Sequence, residues 1–246
     1  MEDNQIQCPK QPQIIEIPPN NCGDETLFDW AREHQNINTS KETLKEVANI
    51  YRKLCKNDFP MAYNNLGFMY YCGLYFDKDI DKAIELYEKA VEYGVAIAFA
   101  NLGCCYYYEK KNYKKAYEMF SEGAFLFREP ECLYMLGDMY KLGLGVEQHD
   151  CKSFELYMRA FEACDDNNTR DHECLGDIHA RIGESILYGI GTKQDTLQAL
   201  KALNMSLGIL YERISEDQFV MYTIDKVKKL VEEAEEELEL DRVSIN

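Results

Sequence analysis

One short pattern returns along this chain at nearly constant spacing, and it limits the possible folds more than any other feature. Ala62-Tyr-Asn-Asn-Leu-Gly67-Phe-Met-Tyr70 is followed by Ala98-Phe-Ala-Asn-Leu-Gly103-Cys-Cys-Tyr106 and by Cys132-Leu-Tyr-Met-Leu-Gly137-Asp-Met-Tyr140. A weaker copy reads Ile178-His-Ala-Arg-Ile-Gly183-Glu-Ser-Ile186. Each copy leads into a second segment with a small residue at a fixed place. Gly67 and Ala83, Gly137 and Ser153, and Gly183 and Ala199 all stand 16 residues apart, whereas Gly103 and Ala116 are 13 apart. Stepping back 36 residues from Gly67 and Ala83 reaches Ala31 and Val47, again 16 apart, with Trp30 in the place of Leu66 and Tyr51 in the place of Tyr87. That makes five units. Units of this length cannot bury an apolar face alone, so they must stack as an array.

Each unit reads as two helices. In Ser40–Cys55 the apolar residues Leu44, Val47, Ala48, Tyr51, Leu54 and Cys55 recur at helical spacing behind a Thr39/Ser40 cap. Ile84, Tyr87, Ala90 and Val91 form a similar stripe, as do Tyr113, Ala116 and Phe120. The repeated glycines fall inside helices, where glycine costs about 1 kcal/mol against alanine. Close approach of the second helix is the reason to tolerate that cost. No segment reads as a strand, so the class is all-α.

The unit's two helices are joined by a glycine-bearing turn: Leu-Gly-Leu-Gly at 142–145, Tyr-Gly-Ile-Gly at 188–191 and, more loosely, Cys-Gly-Leu-Tyr at 72–75. A dinucleotide-binding loop would need a third glycine where Gln148 stands, and a strand before it. A phosphate loop is needed once, whereas this turn recurs at the same offset. It is read as helix termination by glycines with φ > 0.

The segments at 66–90 and 136–160, with their Leu-Gly, Tyr, Gly-x-Gly and Lys-Ala positions, resemble the Sel-one-like repeat, the longer-looped relative of the tetratricopeptide repeat. The shortened copy Leu102–Ala124 is more similar to a tetratricopeptide unit. The resemblance covers roughly 26–211 and implies a right-handed α-solenoid of about five helix hairpins. It also implies that first helices line a concave groove and second helices lie outside. The groove positions carried over are Asn64, Phe68 and Tyr71, then Cys104, Tyr107 and Tyr108, then Tyr134, Asp138 and Lys141, and finally Glu184 and Leu187. Such a surface, rich in aromatic rings with acids at one end, suits a peptide.

Two ends and one insert depart from the array. Residues 1–23 hold four of the six prolines and read as a flexible arm, 24–211 as the solenoid, and 212–246 as an acidic capping helix and tail. The capping helix is expected over 216–241 with Val227, Val231, Ala234 and Leu238 on one face. The polar insert 165–173 is expected to be a surface loop.

With 27 Lys plus Arg against 44 Asp plus Glu, the net charge of −17 argues against nucleic acid and anionic membrane as partners, and suits a basic one. The start shows no signal pattern and no apolar run of membrane-spanning length occurs, so a cytoplasmic address is expected. There the 10 cysteines would be reduced thiols in small core positions. Cys164, His172, Cys174 and His179 match no usual zinc spacing; Cys174 is expected inside and the histidines in solvent. No nucleophile–base set stands out, and neither a cofactor nor a metal is called for. The expected function is a non-catalytic scaffold that takes a peptide or protein, one with a basic segment included, in its groove. The alternative is an acidic inhibitor or immunity-type protein that neutralises a basic toxin or mimics nucleic acid.

Overall fold

A computed structural model describes Pro18 and residues 22–36, 38–164, 169–213 and 220–244, with the side chains of all of these except 169–173 and 241–244. Among the described residues the chain is all helix and turn. The elements are α1 (Asp24–Glu33), α2 (Lys41–Lys56), α3 (Pro60–Cys72), α4 (Ile80–Glu92), α5 (Ala96–Cys104), α6 (Tyr113–Phe127), α7 (Pro130–Leu142), α8 (Asp150–Ala163), α9 (Thr169–Tyr188), α10 (Thr196–Glu212) and α11 (Val220–Ser244).

The helices begin in two different ways, and the sequence shows why. Every second helix carries a side-chain cap: Ser40, Asp79, Asn112, His149 and Asp195 accept the backbone N–H of Thr43, Lys82, Lys115, Lys152 and Gln198. Each such cap contributes about 1 kcal/mol. The first helices α1, α3, α5 and α7 lack one; α3 and α7 instead start with Pro60 and Pro130, whose fixed φ suits a first turn.

The hairpins α1/α2, α3/α4, α5/α6, α7/α8 and α9/α10 pack in succession, and α11 lies on α10 and α9. Within a hairpin, one large side chain of the second helix lies across the small residue of the first. Tyr87 sits 3.0 Å from where a Cβ on Gly67 would be, and Leu203 sits 2.7 Å from the same point on Gly183. At Gly103 and Gly137 the rings of Phe120 and Tyr157 already occupy that space. In the first hairpin Ala31 takes the glycine's place beneath Tyr51, and both are fully buried. Across hairpins, α3 touches α5, α5 touches α7, and α7 touches α9, while successive second helices stand apart. The array therefore bends toward its first helices, which form the inner, concave layer.

The glycine turn behaves as expected of a turn. Gly145 and Gly191 adopt φ +74° and +69°, and each lies against the start of the preceding second helix. A Cβ on Gly145 would stand 2.8 Å from the Tyr113 carbonyl oxygen. In the shortened unit no such turn exists. Instead α5 widens into a π-helical stretch, Cys105–Glu109, before Asn112 caps α6.

Four expectations need correction or limits. The insert is not all loop, because α9 starts at Thr169 and takes residues 169–173 into helix, while 165–168 fall outside the described residues. His179 is buried at 7% exposure against Phe161 (ring centroids 5.2 Å apart), since its place on α9 faces the core; His172 falls outside the described side chains. Residues 1–17 and 19–21 of the expected arm also fall outside. The terminal helix covers 220–244, beyond the expected end at 241, while 216–219 of the expected 216–241 fall outside the described residues; Val227 and Ala234 are fully buried, and Val231 and Leu238 half-buried.

A methyl group at Gly137 must displace the Tyr157 ring, so Gly137→Ala is expected to cost about 1–3 kcal/mol. Gly208, on the open face of α10 with nothing within 4 Å of a Cβ, is the control. Gly208→Ala should stabilise by about 0.5–1 kcal/mol. Urea unfolding of both variants checks the pair, and equal costs would contradict the packing argument.

Candidate functional site

The inner layer is built by residues that sit at equivalent places relative to each unit's glycine. Its N-terminal half is tied by a run of amides. Tyr51 Oη donates to Gln35 Oε1 (2.6 Å) and accepts from Asn65 Nδ2 (3.1 Å). Asn64 Nδ2 donates to Asn65 Oδ1 (3.1 Å), and Asn101 Nδ2 donates to Asn64 Oδ1 (2.9 Å). The run joins α2, α3 and α5 and leaves Asn64 buried at 4% exposure.

The C-terminal half is tied by charge. Arg181 of α9 grips Asp138 of α7 with both Nε (2.8 Å, to Oδ1) and Nη2 (2.6 Å, to Oδ2), while Tyr157 Oη donates to the same Oδ1 (2.8 Å). The Arg181 guanidinium also stacks 4.5 Å over the Tyr134 ring and donates to the Asp177 carbonyl. Arg213 closes on Asp177 (3.1 Å), and Glu184 is held between Lys141 (2.9 Å) and Lys226 (2.8 Å). Burial works against the charge on Arg181, but Asp138 first and Asp177 next more than offset it and raise its pKa well above the ordinary value. Burial likewise works against Glu184, yet its hydrogen bonds from Lys226 and Lys141 bring its pKa below the ordinary 4.5.

Between the halves lies the π-helical stretch. Tyr108 Oη reaches Met135 Sδ (3.7 Å), Cys104 Sγ reaches Glu131 Oε1 (3.7 Å), and the Tyr107 ring meets Tyr108 and Tyr113 edge-on at 4.8 and 5.4 Å.

The eleven residues named from the sequence therefore divide. Phe68 (39% exposed) and Tyr108 (46%) are open rings on the inner layer. Tyr71 is half-buried under Lys78, whose Nζ lies 5.3 Å from its ring, and Cys104 is half-buried. Tyr107 and Tyr134 are buried, and burial pushes the Tyr107 phenol up to about 12. Leu187 is a correction: at 2% exposure it belongs to the core that α9 shares with α10 and α11. Asp138 and Glu184 are a second correction, because cations of the chain itself already neutralise them. The groove has no free acidic end at these residues.

The most connected residue, Arg181, was not among those named from the sequence. Arg181, Asn65, Asn101 and Met135 all stand two residues before their unit's glycine, and Glu131 and Asp177 stand six before. Stepping back three residues from the named positions along one helix face, and a further four to Asp177, would have reached them.

Among the described residues no cluster of three or more His, Cys, Asp or Glu could hold a metal ion, and no helix is long and apolar enough to cross a membrane. The nine described cysteines form no disulfide; burial pushes the Cys55 and Cys105 thiols up to about 12, which makes them poor nucleophiles.

The model of the Sel1 repeat matches residues 60–94, 96–124, 130–163 and 179–201. A sel1-like repeat-containing protein of Acanthamoeba polyphaga mimivirus is 36% identical over 81 residues, which is 33% of this chain; the match spans 15% of that protein's length. Among solved structures, a Sel1 repeat protein from Oxalobacter formigenes aligns with TM-score 0.60 at 20% identity, covering 86% of both chains. A protective antigen from uropathogenic Escherichia coli strains, with an SLR fold, aligns with TM-score 0.62 at 23% identity over 87% of this chain and 44% of its own.

Asp138→Ala removes the main carboxylate partner of a half-buried guanidinium that keeps Asp177 beside it, so a loss of about 1.5–3 kcal/mol is expected in urea unfolding. Asp138→Leu with Arg181→Met should lose far less. Glu184 gives a pH test. Its folded pKa lies below its unfolded value, so its stabilisation is complete above about 4.5 and is lost as pH falls through the folded pKa. Thermal unfolding of Glu184→Gln should thus be less stable than the wild type near neutrality, with the gap closing below pH ~4.

Proposed function

The chain belongs to the Sel1 repeat family, and from that premise we propose that it is a non-catalytic interaction module, an adaptor that captures a peptide or protein along its inner layer. One observation carries the reading: Phe68 and Tyr108 stand open on neighbouring first helices, while most of the tyrosines near them are buried or half-buried. Exposed rings set in a rigid frame are the usual anchors of an interface, because they bury much area at little entropic cost. The amide run on one side and the ion-paired ladder on the other keep that frame fixed before a partner arrives, which lowers the cost of binding. Affinity then comes from the rings in the N-terminal half. The self-neutralised ladder acts as a wall. Cysteines that form no disulfide among the described residues suit a reducing cytoplasm.

A second reading is favoured by α11, whose exposed Glu232, Glu235, Glu236 and Glu239 present uncovered carboxylates. On that reading the protein neutralises a basic partner, and its binding collapses between low and moderate salt.

The test is affinity capture from the source cell with wild-type protein and with Phe68→Ala/Tyr108→Ala, bound proteins being read by mass spectrometry. Both rings are exposed, so the double variant should unfold like the wild type. Loss of the captured partner, with affinity reduced about 30-fold or more, is expected. Retained capture that salt abolishes would support the acidic reading instead.

A further inference from the structure

The first hairpin junction differs from the later ones. Tyr75, Gly145 and Gly191 occupy the same place, eight residues after their unit's glycine. Gly145 and Gly191 press onto the first residue of the preceding second helix, Tyr113 and Asp150. Tyr75 has the same left-handed backbone, φ +66°, but carries a ring. The turn cannot settle onto Lys41 in the same way. An open cleft of about 890 Å³ remains between α2 and the turn.

The cleft's chemistry is sorted by wall. Lys41 and Arg52 belong to α2, where five cations face two acids, the reverse of the chain's overall balance. They stand eleven residues apart on one face of the helix. That is about 16 Å along the axis. Among the described residues neither is paired with a carboxylate. Arg52 lies 4.6 Å over the Phe76 ring and donates to Tyr70 Oη, Phe76 stacks on Tyr70 at 4.2 Å, and Tyr75 meets Phe76 edge-on at 4.9 Å. The three carboxylates of the lining, Asp77, Asp79 and Asp81, lie on the far wall; Asp79 accepts the Lys82 backbone N–H, Asp81 is paired with Lys110, and Lys78 on the same wall is paired with Glu109.

We propose that this cleft binds an extended acidic polypeptide segment of a partner, with carboxylates meeting Lys41 and Arg52 and an apolar side chain on the Tyr75/Phe76 rings. About five extended residues span the two cations at about 3.3 Å each. The strained backbone of Tyr75 fits the pattern of left-handed residues held at ligand sites. This site is separate from the inner layer and does not depend on its partner.

Full-length ¹⁵N-labelled protein is titrated with acetyl-Glu-Ala-Phe-Ala-Glu-amide, with the Lys-for-Glu peptide and oligo-dT in parallel. The acidic peptide should shift amides of α2 and residues 73–79, and Phe68→Ala/Tyr108→Ala should leave its affinity unchanged. Lys41→Glu and Tyr75→Gly should each weaken it about tenfold. Tyr75→Gly should also raise the melting temperature, which separates lost binding from lost fold. No shift at these amides, equal binding of the lysine peptide, tighter binding of oligo-dT at the same amides, or unchanged affinity in both variants would each overturn the proposal.

Discussion

The contact on which the molecule depends is a bulky side chain laid across a hole. In each hairpin from the second onward, a Tyr, Phe or Leu of the outer helix fills the space left by a glycine on the inner one. Tyr87, Phe120 and Tyr157 are essentially inaccessible as a result. A ring of this size buries some 150–250 Å², so each junction supplies several kcal/mol that no isolated helix could provide. Because the glycine sits mid-helix, the contact also fixes the register of the two helices. The small residue 16 positions on then falls in the same interface.

From that register follows everything on the inner layer. With hairpins stacked at constant offset, the residue two before one unit's glycine reaches the same face of the preceding first helix, so Asn101 meets Asn64 and Arg181 meets Asp138. What changes between units is only the chemistry at those positions. Amides bind the N-terminal half, charges bind the C-terminal half, and the shortened unit between them brings its tyrosines forward on a π-helical stretch. One repeated packing rule thus produces a face with distinct ends. Where the rule lapses, at Tyr75, a cleft opens.

Much of this was legible in the sequence because periodicity encodes packing directly. The glycine-to-small spacing, the Ser40 cap and the turn at 142–145 each have a local physical cause, and each lies where the sequence places it. Orientation was harder to read. Tyr107, Tyr134 and Leu187 lie on first helices as expected, yet burial there depends on how neighbouring hairpins close over them, which no single unit specifies. Arg181 shows the same limit from the other side. Its partner Asp138 lies 43 residues away, and nothing in the local pattern links the two. The helical start at Thr169 was masked by a polar composition that reads as loop.

A double-mutant cycle at Gly103 and Phe120 tests the central contact most directly, because Phe120 already fills the space a methyl at Gly103 would need. Unfolding free energies are measured for Gly103→Ala, Phe120→Leu and the pair. Gly103→Ala should cost about 1–3 kcal/mol in the wild type and clearly less in the Phe120→Leu background, where the facing side chain is smaller, with a coupling of about 1 kcal/mol or more. Costs that simply add would show that the glycine is not there to receive the ring.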